Sequence, residues 1–167
     1  DPVMVSTSGS RLMQEDALYT FVKELLPLAT LLTPNIPEAE ILAGIKIQNA
    51  DDIKAAAAAI SQLGCKYVLI KGGHFTGTEK IDYLFEDGKQ KTSYRGISID
   101  TRNTHGTGCT LSSAITSYLA REFDMNTAIA MAKTYLSGAI LAGKGVNIGE
   151  GHGPVNHFYE PKSLFIK

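Results

Sequence analysis

The chain has 167 residues, of which 44% are hydrophobic and 20% are charged, a composition typical of one globular domain. Sixteen basic and seventeen acidic side chains give a formal net charge of −1, which offers no strong positive field for nucleic acid or for an anionic membrane surface. The sequence has no apolar run of about 18 residues, so no membrane span is predicted.

Hydrophobic spacing predicts alternating helices and strands along the first part of the chain. Residues 15–28 carry apolar side chains at helical spacing, and residues 29–33 form a short apolar strand closed by a proline. A helix is expected over 37–43, and another begins at position 49 or 50 and stops at 64. The apolar run 67–70 predicts a buried strand.

The remaining sequence predicts a hairpin and two long helices. Residues 81–85 and 91–99 read as strands, and the Asp87-Gly88 pair between them predicts a hairpin turn. Helices are expected over about 106–122 and 126–142. Strands joined by helical crossovers imply an α/β fold with a mostly parallel sheet and helices on both faces, to which the hairpin adds antiparallel strands near one edge.

A glycine-rich turn is predicted where the first of these two long helices begins. The sequence from Thr104 to Thr110 reads Thr-His-Gly-Thr-Gly-Cys-Thr, and its glycines allow a sharp turn and a close approach of the backbone to a ligand. The first amides of a helix lack intrahelical acceptors and carry partial positive charge, so the segment predicts an anion site that includes Gly106, Thr107 and Gly108. An ordinary helix start with flexible glycines is the alternative.

Cys109 falls in the first turn of that helix, where the helix N-terminus favours a thiolate. A thiolate there can deprotonate or orient the hydroxyl of an acceptor. A cysteine hydrolase with His105 as partner is a weaker alternative, because no third group that would orient the histidine is evident. Structural packing is the other alternative. With Cys65 expected to be a small buried side chain, neither a disulfide nor a zinc site is predicted, and a reducing, cytoplasmic setting fits.

Polar residues also fall where earlier strands are predicted to end. Asn35 and Glu38 lie three apart at a helix start, where they can hold Mg²⁺ through water or form a capping box. Lys71, followed by Gly72 and Gly73, is a candidate phosphate contact at the end of a buried strand, or simply a solvated strand end. In an open α/β sheet ligands bind at the carboxyl ends of the strands, so the site is expected there.

Taken together, these segments resemble the hydroxymethylpyrimidine (phosphomethylpyrimidine) kinases of the ribokinase-like superfamily. The resemblance covers essentially the whole chain and rests on residues 1–5, 33–40, 71–74, 103–112 and 151–157. It implies a ribokinase-like α/β fold in which the chain, residues 1–167, is the C-terminal nucleotide-binding portion of one kinase domain. Members of the family are longer, so the N-terminal part of the fold, with most of the pyrimidine pocket, is expected to be missing.

The resemblance also implies an activity. It is the ATP-dependent and Mg²⁺-dependent phosphorylation of 4-amino-5-hydroxymethyl-2-methylpyrimidine, and then of its monophosphate, in thiamin diphosphate biosynthesis. The partner is then a small-molecule pyrimidine, with neither nucleic acid nor membrane involved. An uncovered sheet edge is compatible with a homodimer.

Residue roles follow from the same resemblance. The turn is the anion hole and Cys109 takes the place of the catalytic base, so the catalytic set is Gly106, Thr107, Gly108 and Cys109. Nucleotide contacts are implied for Asp1, Asn35, Lys71, Gly72, Gly73, His74 and Thr104. Glu38 is implied for the metal.

Two other functions remain open from the sequence. Pyridoxal kinase belongs to the same superfamily, although Cys109 and the Gly-Pro-x-Asn-His pattern at 153–157 favour the pyrimidine enzyme. A non-catalytic nucleotide-binding module is the other candidate, because part of a pocket can bind without reacting.

Overall fold

The structure is a computed structural model that describes residues 1–5, 12–73 and 79–163. The chain divides into two compact units, Asp1–Ser98 and Ile99–Lys167. The first unit contains the β-sheet, and the second contains two long helices. Among the helices of the described residues, none has the length and apolar character needed to cross a membrane.

The first unit opens with a helical segment whose geometry changes twice. Helix α1 (Glu15–Thr20) continues as a π-helical turn over Phe21–Leu25 and a 3-10 turn over Leu26–Leu28. A helical segment is therefore confirmed, but not as one regular amphipathic helix. Leu25 ends the π turn and has the helical spacing of the predicted apolar face, yet it is 57% exposed, whereas Leu26 directly after it is fully buried. Pro27, which has no amide hydrogen, lies in the final turn.

Four strands form one mixed sheet in the order β1-β2-β3-β4. They are β1 (Leu31–Leu32), β2 (Tyr67–Gly73), β3 (Glu79–Glu86) and β4 (Lys89–Ile97). Strands β1 and β2 are parallel, and their crossover contains helices α2 (Ile36–Ala43) and α3 (Ala50–Ser61). The hairpin β3-β4 adds to β2 in antiparallel pairing at one edge, as predicted, so the described sheet has one parallel and two antiparallel pairs.

Local sequence signals set most of the boundaries in this unit. Asn35 and Asn49 cap α2 and α3, and each forms a capping box with an acidic residue three positions later. Gly44 ends α2 with a φ of 70°. Asp87 and Gly88 have φ values of 50° and 74°, which is the geometry that a two-residue hairpin turn requires.

The core of the first unit lies between α3 and the sheet. Its fully or almost fully buried members include Ile53, Ala56, Ala57, Ile60, Val68, Ile70 and Phe85. The alanines of α3 are small enough to let the helix backbone lie close to the strands. Cys65 belongs to the same cluster, and its burial raises the pKa of its thiol, so the predicted packing role is confirmed.

The second unit is a helical hairpin followed by a segment that packs against it. Helix α4 (Thr107–Ala120) is joined to α5 (Met125–Gly143), and Asp124 caps α5 by accepting hydrogen bonds from two amides of its first turn. Residues 144–163 follow α5. The amide of Asn156 in this segment donates to the carbonyl of Ala139 in α5 at 3.0 Å.

A cluster of polar side chains surrounds the Glu86 carboxylate at the end of β3 and contributes to the stability of the sheet. Glu86 accepts a hydrogen bond from the Tyr67 hydroxyl at 2.6 Å and pairs with Lys91 and Lys66. The Lys91 ammonium and then the Tyr67 hydroxyl lower the pKa of Glu86 from 4.5 to about 2. A lowered carboxyl pKa contributes stability that is present above the unfolded pKa and is lost as the pH falls through the folded one.

We therefore expect Glu86→Gln to lower the free energy of unfolding at neutral pH by a small amount, since the cluster is partly exposed to solvent. The difference from the wild type should shrink as the pH falls from 4.5 toward about 2. Urea unfolding at several pH values measures this. The control is Glu24→Gln, which removes an exposed carboxylate with no ion pair among the described residues. If the free energy of unfolding of Glu86→Gln differed from that of the wild type by the same amount at every pH, the lowered pKa of Glu86 would be contradicted.

Candidate functional site

The glycine-rich turn lies at the start of α4, in the second unit. Gly106 is the N-cap residue, with a φ of 81° in the left-handed region that favours glycine. The first intrahelical hydrogen bond runs from the Thr110 amide to the Gly106 carbonyl at 2.8 Å. The amides of Gly108 and Cys109 between them have no acceptor within the described part of the chain, so they are available to an anionic ligand.

The turn is held from its N-terminal side by Thr104. The Thr104 carbonyl accepts a hydrogen bond from the Thr107 hydroxyl at 3.1 Å and a longer one from the Thr107 amide at 3.4 Å. A Cβ atom on Gly106 would meet nothing within 4 Å. Glycine is therefore favoured at this position by its backbone conformation, and another residue would cost about 1–2 kcal/mol.

Cys109 is exposed in the first turn of α4. Beside it, the hydroxyl of the buried Thr110 lies 3.1 Å from Nε2 of His157. These residues line one end of a groove of about 830 Å³ that runs along α4 and α5. His105 is the partner of Cys109 in the cysteine-hydrolase alternative. Its main-chain amide donates a hydrogen bond to the Gly153 carbonyl at 3.0 Å.

Asn103 is a buried residue for which the sequence predicts no individual role. It is 2% exposed, and its Nδ2 donates to the carbonyls of Gly143 at 2.7 Å and Val146 at 2.6 Å. Gly153 packs so closely that a Cβ on it would lie 2.2 Å from Asn103 Oδ1. Asn103 therefore ties the end of α5 and the segment after it to Thr104, where the turn is held.

In the first unit, the ends of β1 and β2 bring Asp1, Asn35 and Lys71 together. Lys71 Nζ lies 2.8 Å from Asp1 Oδ1, and the two side chains are only 14% and 10% exposed. The Lys71 amide donates to the Pro34 carbonyl at 2.8 Å, and a parallel bridge between Lys71 and Asn35 continues the pairing of the strands. A cation and a carboxylate are thus fixed at these strand ends.

Strand β2 is irregular directly after Lys71. Its pairing with β3 shifts between Ile70 and Gly73, so that Lys71 and Gly72 together lie opposite Asp82 in a bulge. Gly72 has a φ of 78°, and its amide donates to Asp82 Oδ1 at 2.7 Å. Asp82 is 7% exposed, yet in the sequence it reads as an ordinary polar residue of an alternating strand.

The Asn35–Glu38 pair forms the capping box that was one of its two predicted roles. Asn35 Oδ1 accepts a hydrogen bond from the Glu38 amide, and Glu38 Oε2 accepts one from the Asn35 amide, both at 2.9 Å. The other carboxylate oxygen of Glu38, Oε1, accepts a hydrogen bond from the Met4 amide at 3.0 Å. Both oxygens of this 2% exposed side chain are therefore engaged by main-chain amides.

The predicted residues thus form one set in each unit. Asp1, Asn35, Lys71 and Gly72 are neighbours in the first unit, where Gly73 ends β2. Thr104 and the turn Gly106–Cys109 are continuous in the second. His74 lies outside the described residues. Within the part of the chain that the structure describes, no cluster of three or more His, Cys, Asp or Glu side chains is arranged to hold a metal ion.

Comparison with known sequences identifies close relatives. A sequence model of a family described as phosphomethylpyrimidine kinase matches residues 1–156. A hydroxymethylpyrimidine/phosphomethylpyrimidine kinase from Rhizobium meliloti is 46% identical over 160 residues, which are 95% of this chain and 60% of that protein. A thiamine biosynthesis bifunctional protein from Geobacter sulfurreducens is 45% identical over 94% of this chain and 31% of its own length. The chain therefore spans about 60% of the length of the curated kinase it matches.

Solved structures show the same fold. A phosphomethylpyrimidine kinase from Clostridium difficile is 46% identical, with a TM-score of 0.69, and the match covers 84% of this chain and 55% of that one. An ADP complex of Bacillus subtilis pyridoxal kinase is 34% identical, with a TM-score of 0.82, and the match covers 95% and 59%. These neighbours confirm the ribokinase-like α/β fold predicted from the sequence.

The contacts of Asn103 lead to a stability prediction. Asn103→Ala removes the two hydrogen bonds that the buried Asn103 side chain donates to the carbonyls of Gly143 and Val146, so we expect the free energy of unfolding to fall by about 1–3 kcal/mol. Asn147→Ala is the matched control, because Asn147 is exposed and accepts a hydrogen bond from Arg102 at 2.9 Å. Its expected effect is within about 0.5 kcal/mol. Urea unfolding followed by circular dichroism compares the two, and equal losses would contradict the role of Asn103.

Proposed function

This chain belongs to the phosphomethylpyrimidine kinase family, and from that premise we propose that it is the nucleotide-binding portion of a hydroxymethylpyrimidine and phosphomethylpyrimidine kinase. The reaction transfers a phosphoryl group from ATP to 4-amino-5-hydroxymethyl-2-methylpyrimidine and then to its monophosphate, as thiamin diphosphate biosynthesis requires. The names of the curated relatives support the substrate. ADP and AMP-PCP complexes of pyridoxal kinases among the structural neighbours support the donor. The complete activity is proposed for a form of the protein with the full length of these relatives.

The start of α4 is the observation that carries this proposal. In phosphoryl transfer the protein acts mainly by positioning the reactants and by stabilising negative charge on the oxygens of the moving group. The amides of Gly108 and Cys109 are donors of the required kind, fixed in place by the left-handed conformation of Gly106. In acyl-transfer enzymes, the loss of one such donor costs about 3 kcal/mol of transition-state stabilisation.

Lys71 is proposed as a second contact to the phosphates. Its ammonium is held at 2.8 Å from Asp1 in a largely buried pair, so its position is set before a ligand binds. Asn35 and Gly72 lie beside it at the strand ends. Thr104, before the turn of the second unit, and Gly73 and His74, after Gly72 in the sequence, complete the proposed nucleotide contacts on the basis of the family resemblance.

The residues of the first unit fit a magnesium ion held through water. When bound, Mg²⁺ neutralises charge on the phosphates, and it prefers oxygen ligands while keeping several waters. Asp1 offers a carboxylate at the strand ends. The Asn35 amide oxygen already accepts a hydrogen bond from the Glu38 amide, so it can offer the ion or its waters only a second lone pair. Glu38 does not fit as a direct ligand, because both of its oxygens accept main-chain hydrogen bonds and its side chain is 2% exposed. The metal role predicted for Glu38 is therefore proposed only as an indirect one.

Cys109 is proposed to act on the hydroxyl of the acceptor. As the acceptor oxygen bonds to phosphorus and the bond to the ADP oxygen breaks, the hydroxyl proton passes to the Cys109 thiolate. The exposure of Cys109 in the first turn, beside the amides of the anion site, supports this role. The transition state of phosphoryl transfer is loose, so base catalysis makes a smaller contribution here than the anion site.

In the full-length form, the substitution Cys109→Ala should lower kcat by more than it changes the affinity for ATP. We expect kcat to fall by up to about 100-fold. General bases contribute about 100-fold or more where proton transfer is well advanced in the transition state, and in a loose transition state it is not. Steady-state kinetics and calorimetry with ATP separate the two effects. Ser113→Ala, one helical turn further along the same groove, is the control and should leave both values unchanged. An unchanged kcat in Cys109→Ala would reduce Cys109 to a packing role.

Pyridoxal kinase is the second candidate function, favoured by the higher TM-score of 0.82 to a pyridoxal kinase than of 0.69 to a phosphomethylpyrimidine kinase. An assay of ADP formation with the hydroxymethylpyrimidine, its monophosphate and pyridoxal distinguishes the two. The proposal expects the highest kcat/KM for the pyrimidines. Turnover of pyridoxal with none of either pyrimidine would favour the second candidate.

A non-catalytic nucleotide-binding module and a homodimer stay predictions of the sequence. Calorimetry with Mg-ATP on the 167-residue chain tests the module by itself, because it requires no turnover. Binding without turnover in the full-length form would favour the module over the kinase. Sedimentation of the same sample gives the oligomeric state.

A further inference from the structure

Glu38 joins two segments of the first unit that lie far apart in the sequence. Its Oε1 accepts a hydrogen bond from the Met4 amide, 34 residues away, at 3.0 Å. Its Oε2 accepts one from the Asn35 amide at the start of α2, at 2.9 Å. A capping box needs only the second of these contacts, so the first is an additional connection between α2 and the beginning of the chain.

The segment that Glu38 holds contains an unfavourable backbone conformation. Val3 has a φ of 49°, and a β-branched residue in the left-handed region is a genuine outlier. The Val3 side chain is 43% exposed, whereas Met4 beside it is 2% exposed. The strained residue thus obtains little packing from its own side chain, and its conformation must be maintained by its neighbours.

Two contacts flank Val3 and fix this conformation. On the C-terminal side, the amide of Met4 is bound to Glu38. On the N-terminal side, the carboxylate of Asp1 lies 2.8 Å from Lys71 Nζ. The turn at Val3 therefore lets Met4 enter the core while Asp1 reaches the end of β2. The Met4 carbonyl also accepts a hydrogen bond from the Leu12 amide at 2.9 Å. Loss of the Glu38 contact would therefore loosen the N-terminal side of Met4, which leads to Val3 and to the Asp1 carboxylate.

We infer that Glu38 is a positioning residue, which holds the strained Asp1–Met4 segment so that Asp1 stays at Lys71, and that it is not a ligand of the metal. The inference rests on the proposed function in one respect, which is that Asp1 and Lys71 contact the phosphates of Mg-ATP. The hydrogen bonds of Glu38 and the strain at Val3 do not depend on that ligand.

Glu38→Gln is the variant that tests this role. A glutamine has one acceptor oxygen and one donor NH₂ group, so it can accept from one of the two amides but must face the other with a donor. Hydrogen exchange of the Met4 amide, measured in the absence of metal and nucleotide, should become at least about tenfold faster, because a hydrogen bond to a charged group is lost. Glu38→Asp, whose side chain is too short to span both amides, is the second variant if Glu38→Gln does not fold.

A double-mutant cycle with Asp1→Asn distinguishes positioning from metal binding. If Glu38 acts through Asp1, each single variant weakens Mg-ATP binding by about tenfold and the double variant is no weaker than either one, because contacts in one network are not additive. In the Asp1→Asn background, Glu38→Gln should leave the Mg²⁺ concentration for half-maximal ATP binding unchanged. A metal ligand predicts additive losses and a higher Mg²⁺ requirement in that background.

Val3→Gly provides an independent check, because glycine adopts a positive φ without strain. Added to Glu38→Gln, it should recover part of the lost affinity for Mg-ATP, a recovery that a missing metal ligand would not show. Glu40→Gln is the matched control on the same helix. Its carboxylate also accepts a main-chain hydrogen bond, from Ile47 at 2.9 Å, and pairs with Lys46, but it has no contact with Met4.

Glu40→Gln should therefore leave both Met4 exchange and Mg-ATP binding unchanged. The inference is overturned if Met4 exchange is the same in Glu38→Gln and the wild type, or if the cycle is additive. A wild-type protein that fails to bind Mg-ATP would contradict the proposed function instead. The exchange measurement would then decide, by itself, whether Glu38 holds the segment.

Discussion

The buried carboxylate of Glu38 is the contact on which the strand ends of the first unit depend. A charge removed from water is costly unless hydrogen bonds compensate it, and here the amides of Met4 and Asn35 supply them. Because both donors are main-chain groups, the carboxylate fixes the backbone of two distant segments. The start of α2, the end of β1 and the first residues of the chain are thereby held in one arrangement, and with them the Asp1–Lys71 pair.

The second unit reaches a similar result by backbone geometry instead of a charge. Gly106 adopts a left-handed conformation, which directs the chain into α4 with the amides of Gly108 and Cys109 free of acceptors in the described residues. Asn103 then ties the residues before the turn to the end of α5. In both units the groups that would meet phosphate are set by contacts that form without it, and such preorganisation is what electrostatic catalysis of phosphoryl transfer requires.

Features with local signals could be predicted from the sequence. The start of α3 at position 49 or 50, the capping-box alternative for Asn35 and Glu38, the hairpin turn at Asp87-Gly88 and the glycine-rich start of α4 depend on neighbouring residues, and the structure confirms all four. What the sequence could not indicate depends on distant partners. Glu38 binds Met4 across 34 residues and Asn103 binds Gly143 across 40, and no periodicity marks either contact. The local sequence leaves three possible roles for Cys109, and only the family resemblance selects the role of catalytic base and the pyrimidine substrate.

In the proposed function, the start of α4 binds the phosphates of a nucleotide. Amide chemical shifts of Gly108 and Cys109, followed by NMR during titration with AMP-PCP and Mg²⁺ and separately with adenosine, test it most directly. Both amides should shift and saturate with AMP-PCP and stay unchanged with adenosine, which has no phosphates. Equal shifts with adenosine, or AMP-PCP binding that leaves both amides unchanged, would contradict it.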